Sequence, residues 1–427
     1  MHTARFLNVA EEIGARLCAD AIWSGDLCHW VGDAMTHTQS GWKVTRRMVG
    51  PELYSGASGI ALFLACLFRC SPQQEFRKTA EGALHYALSH LDRLNSSGNF
   101  GFYSGFTGLA YVLAEAAAIF RSPQLAEESR AILRELERQA GRQAALRRWD
   151  ITSGSAGVIP VLLKLHGVLG DEFLLESALR HGELLLQIAN RGDEGWSWPA
   201  TENPSHQNLT GFSHGTSGVA WSLLELHNKA LHIKALHEKA KDHVTEDRFL
   251  NAALEAFRYE RHCYSPESEN WPDFRYTPEI GSPAYVAAWC HGAAGIGLSR
   301  VRAYQLLGDQ DCRSEAEIAV RTTTGILTTA LSNNQGNYSL CHGHCGNAEL
   351  LLYAGDVLGD ESSINFVHQM ARDAIQKFCV EKNPWPCGVQ NGGETPDLLL
   401  GLAGIGHFYL RLYDRRKVPS VLLVGPN

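Results

Sequence analysis

Cysteine and histidine are concentrated in two short stretches of the sequence, "WCHG" at 289–292 and "CHGHC" at 341–345. In both stretches a Cys-His pair directly precedes a glycine, so Cys290 and Cys341 hold equivalent places. Thiolate sulfur and imidazole nitrogen are ligands that zinc prefers, and three protein ligands leave a fourth position open, as in catalytic zinc sites. We therefore predict that Cys290, Cys341 and His342 bind a catalytic Zn²⁺.

The remaining cysteines carry weaker signals. The chain has 11 cysteines at irregular spacing, which does not indicate a disulfide framework. His344 and Cys345 lie within the glycine-rich turn, where packing and metal binding are both open. Cys379 and Cys387 lie outside the motifs and have no predicted role. Four others are expected to pack as small hydrophobic residues; they are Cys18, Cys66, Cys70 and Cys312.

Two more polar residues precede glycines of the same kind. His214 stands directly before a glycine in "GFSHGTSG", and Asp150 lies four residues before one in "RRWDITSGSAG". Because imidazole gives and takes protons near neutral pH, we predict catalytic proton transfer by His214 with help from Asp150. For both residues helix capping is the structural alternative. Trp289 and His291 flank the first cysteine ligand and are predicted to contact substrate, with core packing as the alternative for Trp289.

These glycines belong to a motif that recurs along the chain. Each occurrence has the form Gly-x-x-Gly and runs into a mostly apolar, helical stretch, as in "YSGASGIALFLA" at 54–65. The segments between the motifs are amphipathic instead, as in "EFRKTAEGALHYALSHLDRL" at 75–94. The seven leading glycines are Gly56, Gly105, Gly154, Gly215, Gly292, Gly343 and Gly401.

A repeat of one buried and one half-exposed helix predicts an all-α fold, an α/α toroid of seven inner and seven outer helices. The first and last motifs are as apolar as the others, which favours a closed ring over an open solenoid with polar ends. The glycine-rich loops then share one mouth. We expect a single domain over 1–427, with an N-terminal helical lead-in at 1–45. The longest excursion between repeats, 226–285, holds a charged helical stretch at 226–260 and then an irregular segment at 259–275, which is expected either to cover the mouth or to decorate its rim.

Composition excludes several classes of partner. The net charge is −8 and no run of Lys or Arg occurs, so nucleic acid is not an expected partner. The longest apolar stretch, "GIALFLACLF" at 59–68, is too short to cross a bilayer. The N-terminus lacks the apolar region of a signal peptide. We therefore expect a cytoplasmic protein without an integral membrane segment.

The "WCHG" and "CHG" stretches on a sevenfold glycine-rich repeat resemble the lanthionine synthetase C-like cyclases over nearly the whole chain. The segments "YERHCYSPESENWPDFR" at 259–275 and "VPSVLLVGPN" at the end are most similar to the cyclase domain of class II lanthipeptide synthetases. Those synthetases carry a large dehydratase domain upstream. The sequence given has none, and its initial Met favours a stand-alone cyclase over an excised domain.

The resemblance implies a zinc enzyme that closes (methyl)lanthionine thioether rings in a precursor peptide of leader plus core. A separate dehydratase first makes dehydroalanine or dehydrobutyrine, and a peptide Cys thiolate then adds to the double bond. The family's zinc ligands map onto Cys290, Cys341 and His342, and its catalytic Asp and His map onto Asp150 and His214. Some members have an Arg, suited to an enolate, four residues before the first ligand. Here that residue is Val286.

Three other functions remain open at this stage. A related zinc enzyme could add glutathione or another small thiol to dehydroamino acids in proteins, using the same site. A non-catalytic, peptide-binding toroid would not need the metal. An α/α-barrel glycosidase needs two carboxylates at the mouth, and only Asp150 stands in a motif.

Overall fold

Concentric rings of helices form the fold of this computed structural model, which describes residues 2–38, 41–96, 100–140, 148–199, 207–236, 243–275 and 283–425. In that part of the chain the inner ring has seven helices: α2 (Ala57–Cys70), α5 (Phe106–Phe120), α7 (Ser155–Leu169), α9 (Thr216–Leu236), α11 (Ala293–Leu307), α13 (His344–Leu358) and α15 (Leu402–Tyr413). The outer ring consists of α1 (His2–Ala19), α3 (Gln74–Ser89), α6 (Pro123–Ala140), α8 (Phe173–Ile188), α10 (His243–Cys263), α12 (Gln310–Ser332) and α14 (Glu361–Ala374). A short helix, α4 (Leu91–Ser96), follows α3. The all-α toroid predicted from the repeat is confirmed.

Each inner helix begins directly after a leading glycine, and the seven loops before these helices are joined in a circle. Every loop donates a backbone N–H to a carbonyl of the next loop, and the last loop returns to the first. The bonds run from Tyr54 N to Tyr103 O (2.8 Å), Tyr103 N to Thr152 O (3.2 Å), Ile151 N to Ser213 O (3.1 Å), Ser213 N to Cys290 O (3.1 Å), Cys290 N to Cys341 O (3.3 Å), Cys341 N to Leu399 O (3.0 Å) and Leu399 N to Tyr54 O (2.9 Å). The ring is therefore closed at the mouth by main-chain hydrogen bonds as well as by packed helices.

The second glycine of each motif is required because backbone passes directly over it. A Cβ atom at this place would lie 1.9–2.2 Å from the carbonyl oxygen of the residue six positions earlier. No side chain fits at that distance, so any other residue would push the loop off the start of its helix. The glycines in question are Gly59, Gly108, Gly157, Gly218, Gly295, Gly346 and Gly404.

The N-terminus supplies the outer helix of the last repeat. Helix α1 packs against α15, and no outer helix follows α15 in the described residues, which end at 425. An ion pair joins the last two inner helices. It connects Arg411 on α15 to the buried Glu349 on α13, at 2.7 Å. The ring is thus completed by residues from opposite ends of the sequence.

The prediction of a helical lead-in at 1–45 is wrong beyond Ala19. After α1 come two antiparallel hairpins, β1 (Ile22–Ser24) with β2 (Leu27–His29), and β3 (Val31–Thr38) with β4 (Gly41–Met48). The residues of β3 and β4 include Val and Thr, which favour strands, and little of β4 is buried. The hairpin β3–β4 borders the mouth of the ring.

The first part of the excursion at 226–285 is helical in its described residues: it completes α9 and forms α10, the outer helix of the fourth repeat. The described residues after Cys263, which are 264–275 and 283–285, are irregular. Within that segment the carbonyl of Pro272 accepts a hydrogen bond from Thr210 Oγ1 at 2.6 Å. Residues 264–275 therefore lie against the fourth loop and cover part of the mouth, while 276–282 lie outside the described residues. Among the described helices, none is both long and apolar enough to span a membrane.

Substituting Gly346 with alanine should lower the free energy of unfolding by at least about 2 kcal/mol, because the new Cβ meets Leu340 O at 1.9 Å. Gly325→Ala is the matched control: Gly325 is exposed on α12 with nothing within 4 Å, so the same change should be neutral or stabilising by about 0.5–1 kcal/mol. Urea unfolding of both variants measures the difference. Equal midpoints for Gly346→Ala and the wild type would contradict the close-approach explanation.

Candidate active site

Two thiols and an imidazole meet at the mouth. The ligand atoms of Cys290, Cys341 and His342 all lie within 4.8 Å of one another. The loop before α11 contains Cys290, and the loop before α13 contains Cys341. A hydrogen bond from Cys290 N to Cys341 O holds the two loops side by side. Residues far apart in sequence are thus brought together by the circle of backbone bonds.

The two thiols share a hydrogen bond that differentiates them. This bond, with help from the positive charges of Arg275 and His214, lowers the pKa of Cys290 although burial opposes the shift. The same bond, together with burial, raises the pKa of Cys341, while a hydrogen bond from Tyr54 acts in the opposite direction. The shared hydrogen bond therefore favours ionisation of one thiol of the pair.

The environment of His342 prepares it to act as a neutral ligand. Desolvation lowers the pKa of His342, so the ring is neutral at pH 7. Its Nε2–H donates to the carbonyl of Gly388 at 2.9 Å, which leaves Nδ1 with a free lone pair. Such an outer hydrogen bond fixes the tautomer and orientation of metal-binding histidines.

The donor set fits zinc. Two sulfur atoms and one imidazole nitrogen are a three-ligand combination found in catalytic zinc proteins, and the fourth position is left for water or substrate. The cluster is half-open: Cys341 is buried, Cys290 is partly buried, and His342 is exposed to the mouth. A metal ion held there would be reachable from solvent on one side.

His214 and Asp150 form a hydrogen-bonded pair beside this cluster. His214 Nδ1 lies 2.6 Å from Asp150 Oδ2, and Asp150 Oδ1 accepts the N–H of Ser153 at 2.6 Å. Burial lowers the pKa of His214, but the Asp150 carboxylate and the negative charge of Cys290 outweigh burial and raise it overall. The imidazole is 41% exposed, so its Nε2 side can reach a substrate. This is the arrangement of a positioned proton donor.

A buried ion pair fixes the loop that carries His214. Glu260 on α10 accepts the backbone N–H groups of Gly211 and Ser217, both at 3.0 Å, and thus holds the loop at both ends. Its carboxylate pairs with Arg300 on α11 at 2.8 Å, and both side chains are fully buried. Sequence reasoning missed this pair, since neither residue lies in a repeated motif position.

The structure buries both residues that were predicted to contact substrate, Trp289 and His291. Trp289 is 0% exposed, packs against Tyr103 and Phe212, and donates Nε1–H to Leu422 O at 3.1 Å, so it belongs to the core. His291 is 1% exposed because the segment 264–275 lies over it. Its position in the motif is equivalent to those of the two accessible histidines, but position alone does not determine exposure.

The other cysteines and His344 pack rather than join the cluster. His344 bonds Gln335 O at 3.0 Å and meets the Tyr338 ring edge-on, and Cys345 is fully buried with a raised pKa. Cys70, Cys379 and Cys387 are partly buried free thiols. Three of the four cysteines predicted to pack as small hydrophobic residues are buried, namely Cys18, Cys66 and Cys312.

A cleft of about 370 Å³ lies between His342 and the hairpin β3–β4. Met35 and Arg47 of the hairpin form one wall, and Tyr54, His342 and Asp397 of the ring form the other. Asp397 is buried, which raises its pKa to about 6. This cleft is not predicted from the sequence, because the hairpin β3–β4 that forms one of its walls is not part of the repeat.

Fold and site together define an α/α toroid with a candidate thiolate–imidazole metal site and a His–Asp pair at one mouth. The family described as lanthionine synthetase C-like protein matches residues 47–423, and the chain belongs to that family. The resemblance found in the motifs is thereby confirmed.

Two known proteins show how far the likeness extends. The lacticin 481/lactococcin biosynthesis protein LcnDR2 of Lactococcus lactis subsp. lactis is 24% identical over 382 residues, which are 87% of this chain but only 37% of that protein. The solved structure of nisin cyclase is 17% identical, with a TM-score of 0.63 over 87% of this chain and 92% of that chain. The structural likeness shows the fold.

Alanine at Cys290 or Cys341 should abolish zinc binding, because either change removes one of three ligands. Elemental analysis of protein purified without chelators should find one zinc per wild-type chain and almost none in either variant. Cys70→Ala, a partly buried thiol outside the cluster, is the control and should retain zinc. Zinc retained in both ligand variants would rule out a shared metal site.

Proposed function

We propose that the chain is a zinc-dependent peptide cyclase that forms lanthionine or methyllanthionine rings. Its substrate is a precursor peptide, leader plus core, in which a separate dehydratase has converted Ser or Thr to dehydroalanine or dehydrobutyrine. The observation that carries the proposal is the Cys290–Cys341–His342 cluster beside the His214–Asp150 pair at one mouth. The free state of the cysteines agrees with a reducing compartment such as the cytoplasm.

The chemistry requires a deprotonated thiol and a proton donor. Zinc bound to Cys290, Cys341 and His342 would supply the positive charge that keeps a peptide thiol ionised at neutral pH. In the addition, a C–S bond forms at the β-carbon of the dehydro residue, and the π electrons move towards the carbonyl as an enolate. The proton lost from the thiol is balanced by one gained at the α-carbon, so no oxidant or reductant is needed.

The His214–Asp150 pair supplies the proton that is gained at the α-carbon. Because Asp150 raises the pKa of His214, the imidazolium form is populated at higher pH than for an isolated histidine. Nδ1 is held by the carboxylate, so the proton delivered to the α-carbon comes from Nε2. Asp150 itself is held by the N–H of Ser153, which keeps the imidazole in one orientation.

The cleft next to His342 gives the peptide a path to these groups. Its walls carry the acidic Asp397 and the basic Arg47, and it is open to solvent along the hairpin β3–β4. An extended peptide segment lying there brings its cysteine to the exposed side of the cluster.

Cyclisation is measured by the loss of free thiol in a dehydrated peptide that contains one cysteine, followed by thiol alkylation and mass spectrometry. Ring formation leaves the mass unchanged and prevents alkylation. A matched peptide without cysteine, incubated with glutathione, tests addition of a small thiol instead. Addition of glutathione without ring formation would favour the alternative enzyme, and no reaction with either peptide would favour a binding toroid.

Replacing Asp150 with asparagine should shift the alkaline limb of the pH–rate profile to lower pH. The protonated form of His214 is the active acid, so activity is lost as pH rises through its raised pKa. Without the carboxylate, burial dominates and the pKa of His214 falls. His214→Asn should reduce the rate by about 10²–10⁴-fold at every pH.

Zinc content is the control for this pair of variants, because neither residue belongs to the ligand cluster. An unshifted alkaline limb in Asp150→Asn, with zinc retained, would show that His214 is not the acid.

A further inference from the structure

Thiol addition places negative charge on the carbonyl oxygen of the dehydro residue, and a fixed cation near that oxygen would stabilise the transition state. Four residues before Cys290 stands Val286, whose side chain carries no charge. Its carbonyl is also occupied, accepting from Asn270 Nδ2 at 3.0 Å and from Ala293 N at 3.3 Å. A cation for the enolate must therefore come from another part of the fold.

Such a cation is held in the segment that covers the mouth. Arg275 grips the carboxylate of Asp273 in a two-pronged ion pair, with Nε to Oδ1 at 2.9 Å and Nη2 to Oδ2 at 2.6 Å. The Arg275 backbone N–H also donates to Oδ1, at 3.1 Å. Planar, bidentate pairs of this kind fix a guanidinium in position as well as binding it.

The carboxylate partner is itself anchored to the ring. Asp273 is buried, and its N–H donates to Ala284 O at 2.8 Å. Its Oδ1 lies 3.9 Å from His291 Nδ1, and the His291 ring stacks on His214 with centroids 6.0 Å apart. Asp273 thus ties Arg275 to the two loops that carry His214 and Cys290.

The two ends of this ion pair differ in exposure. Arg275 is 43% exposed, whereas the Asp273 side chain is 0% exposed, so the guanidinium is the accessible part. Its positive charge reaches His214, whose pKa it lowers.

We propose that Arg275, fixed by Asp273, is the cation that stabilises the enolate oxygen during thiol addition, in the place of a charged residue at position 286. The inference rests on the proposed cyclase function and assigns a catalytic role to a residue outside the repeated motifs. Asp273 acts through Arg275 and is a positioning residue.

Arg275→Ala should lower kcat for cyclisation by about 10²-fold, the usual cost of losing one oxyanion-stabilising group, with little change in KM. Arg275→Lys should recover part of the lost rate, because it restores the charge without the planar fork. Zinc content should be unchanged in both variants, and calorimetry with an unreactive Ser-containing peptide should give the wild-type affinity. Asp273→Asn should lower kcat by a smaller factor than Arg275→Ala.

Arg321→Ala is the control. Arg321 is an exposed residue that contacts the same covering segment through Glu269 at 3.7 Å, and its loss should leave kcat unchanged. A wild-type kcat in Arg275→Ala would overturn the proposal while the cyclase function stands. Equal loss in Arg275→Ala and Arg275→Lys, accompanied by loss of zinc, would show a structural role instead. A wild type that fails to cyclise any peptide would contradict the proposed function itself.

Discussion

The circle of backbone hydrogen bonds at the mouth is the constraint on which the site depends. Each loop uses an N–H to hold the next, so no loop can move without leaving a neighbour unpaired. A typical net bond contributes about 1 kcal/mol, but a buried group left unpaired costs about 1–3 kcal/mol. The circle therefore acts as one unit. It places Cys290 beside Cys341 whatever the length of chain between them.

The seven loops are built alike, so the chemistry of each motif residue depends on the groups around it. The residue directly before the leading glycine is histidine in three successive repeats, yet the three rings behave differently. His214 meets a carboxylate, and its pKa rises. His291 is buried beneath the covering segment, and burial lowers its pKa to about 3. His342 stays at the surface of the mouth with its Nε2–H committed to Gly388. A single motif position thus yields a candidate proton donor, a buried neutral ring and a candidate ligand, because the neighbouring groups determine the charge.

Much of this architecture could be predicted from sequence because the repeat carries it. The glycine spacing indicated the toroid, and the shared offset of Cys290 and Cys341 indicated that their thiols would meet. The exposure of the motif side chains could not be predicted in the same way. His291 has the same offset from its glycine as the other two histidines, but it lies under the segment 264–275, which is not part of the repeat. The hairpin β3–β4 was missed because its residues do not follow the repeat, and the pairing of α1 with α15 was missed because it joins opposite ends of the chain. Arg275 was missed because it lies outside the repeated motifs, although the "DFR" spacing at 273–275 places its carboxylate partner two residues away.

The two cations assigned to the proposed reaction, His214 and Arg275, share one arrangement: each is paired with a less exposed carboxylate. His214 is 41% exposed in front of Asp150, which is 18% exposed, and Arg275 is 43% exposed in front of the fully buried Asp273. Each pair is neutral as a whole, so its field falls off faster with distance than that of a single charge, and its effect depends on which end faces the substrate. In both pairs the cation is the more exposed end. In the proposed reaction, Arg275 stabilises the enolate oxygen and His214 delivers the proton. Because each pair carries no net charge, it supplies a local positive charge without adding net charge to the mouth.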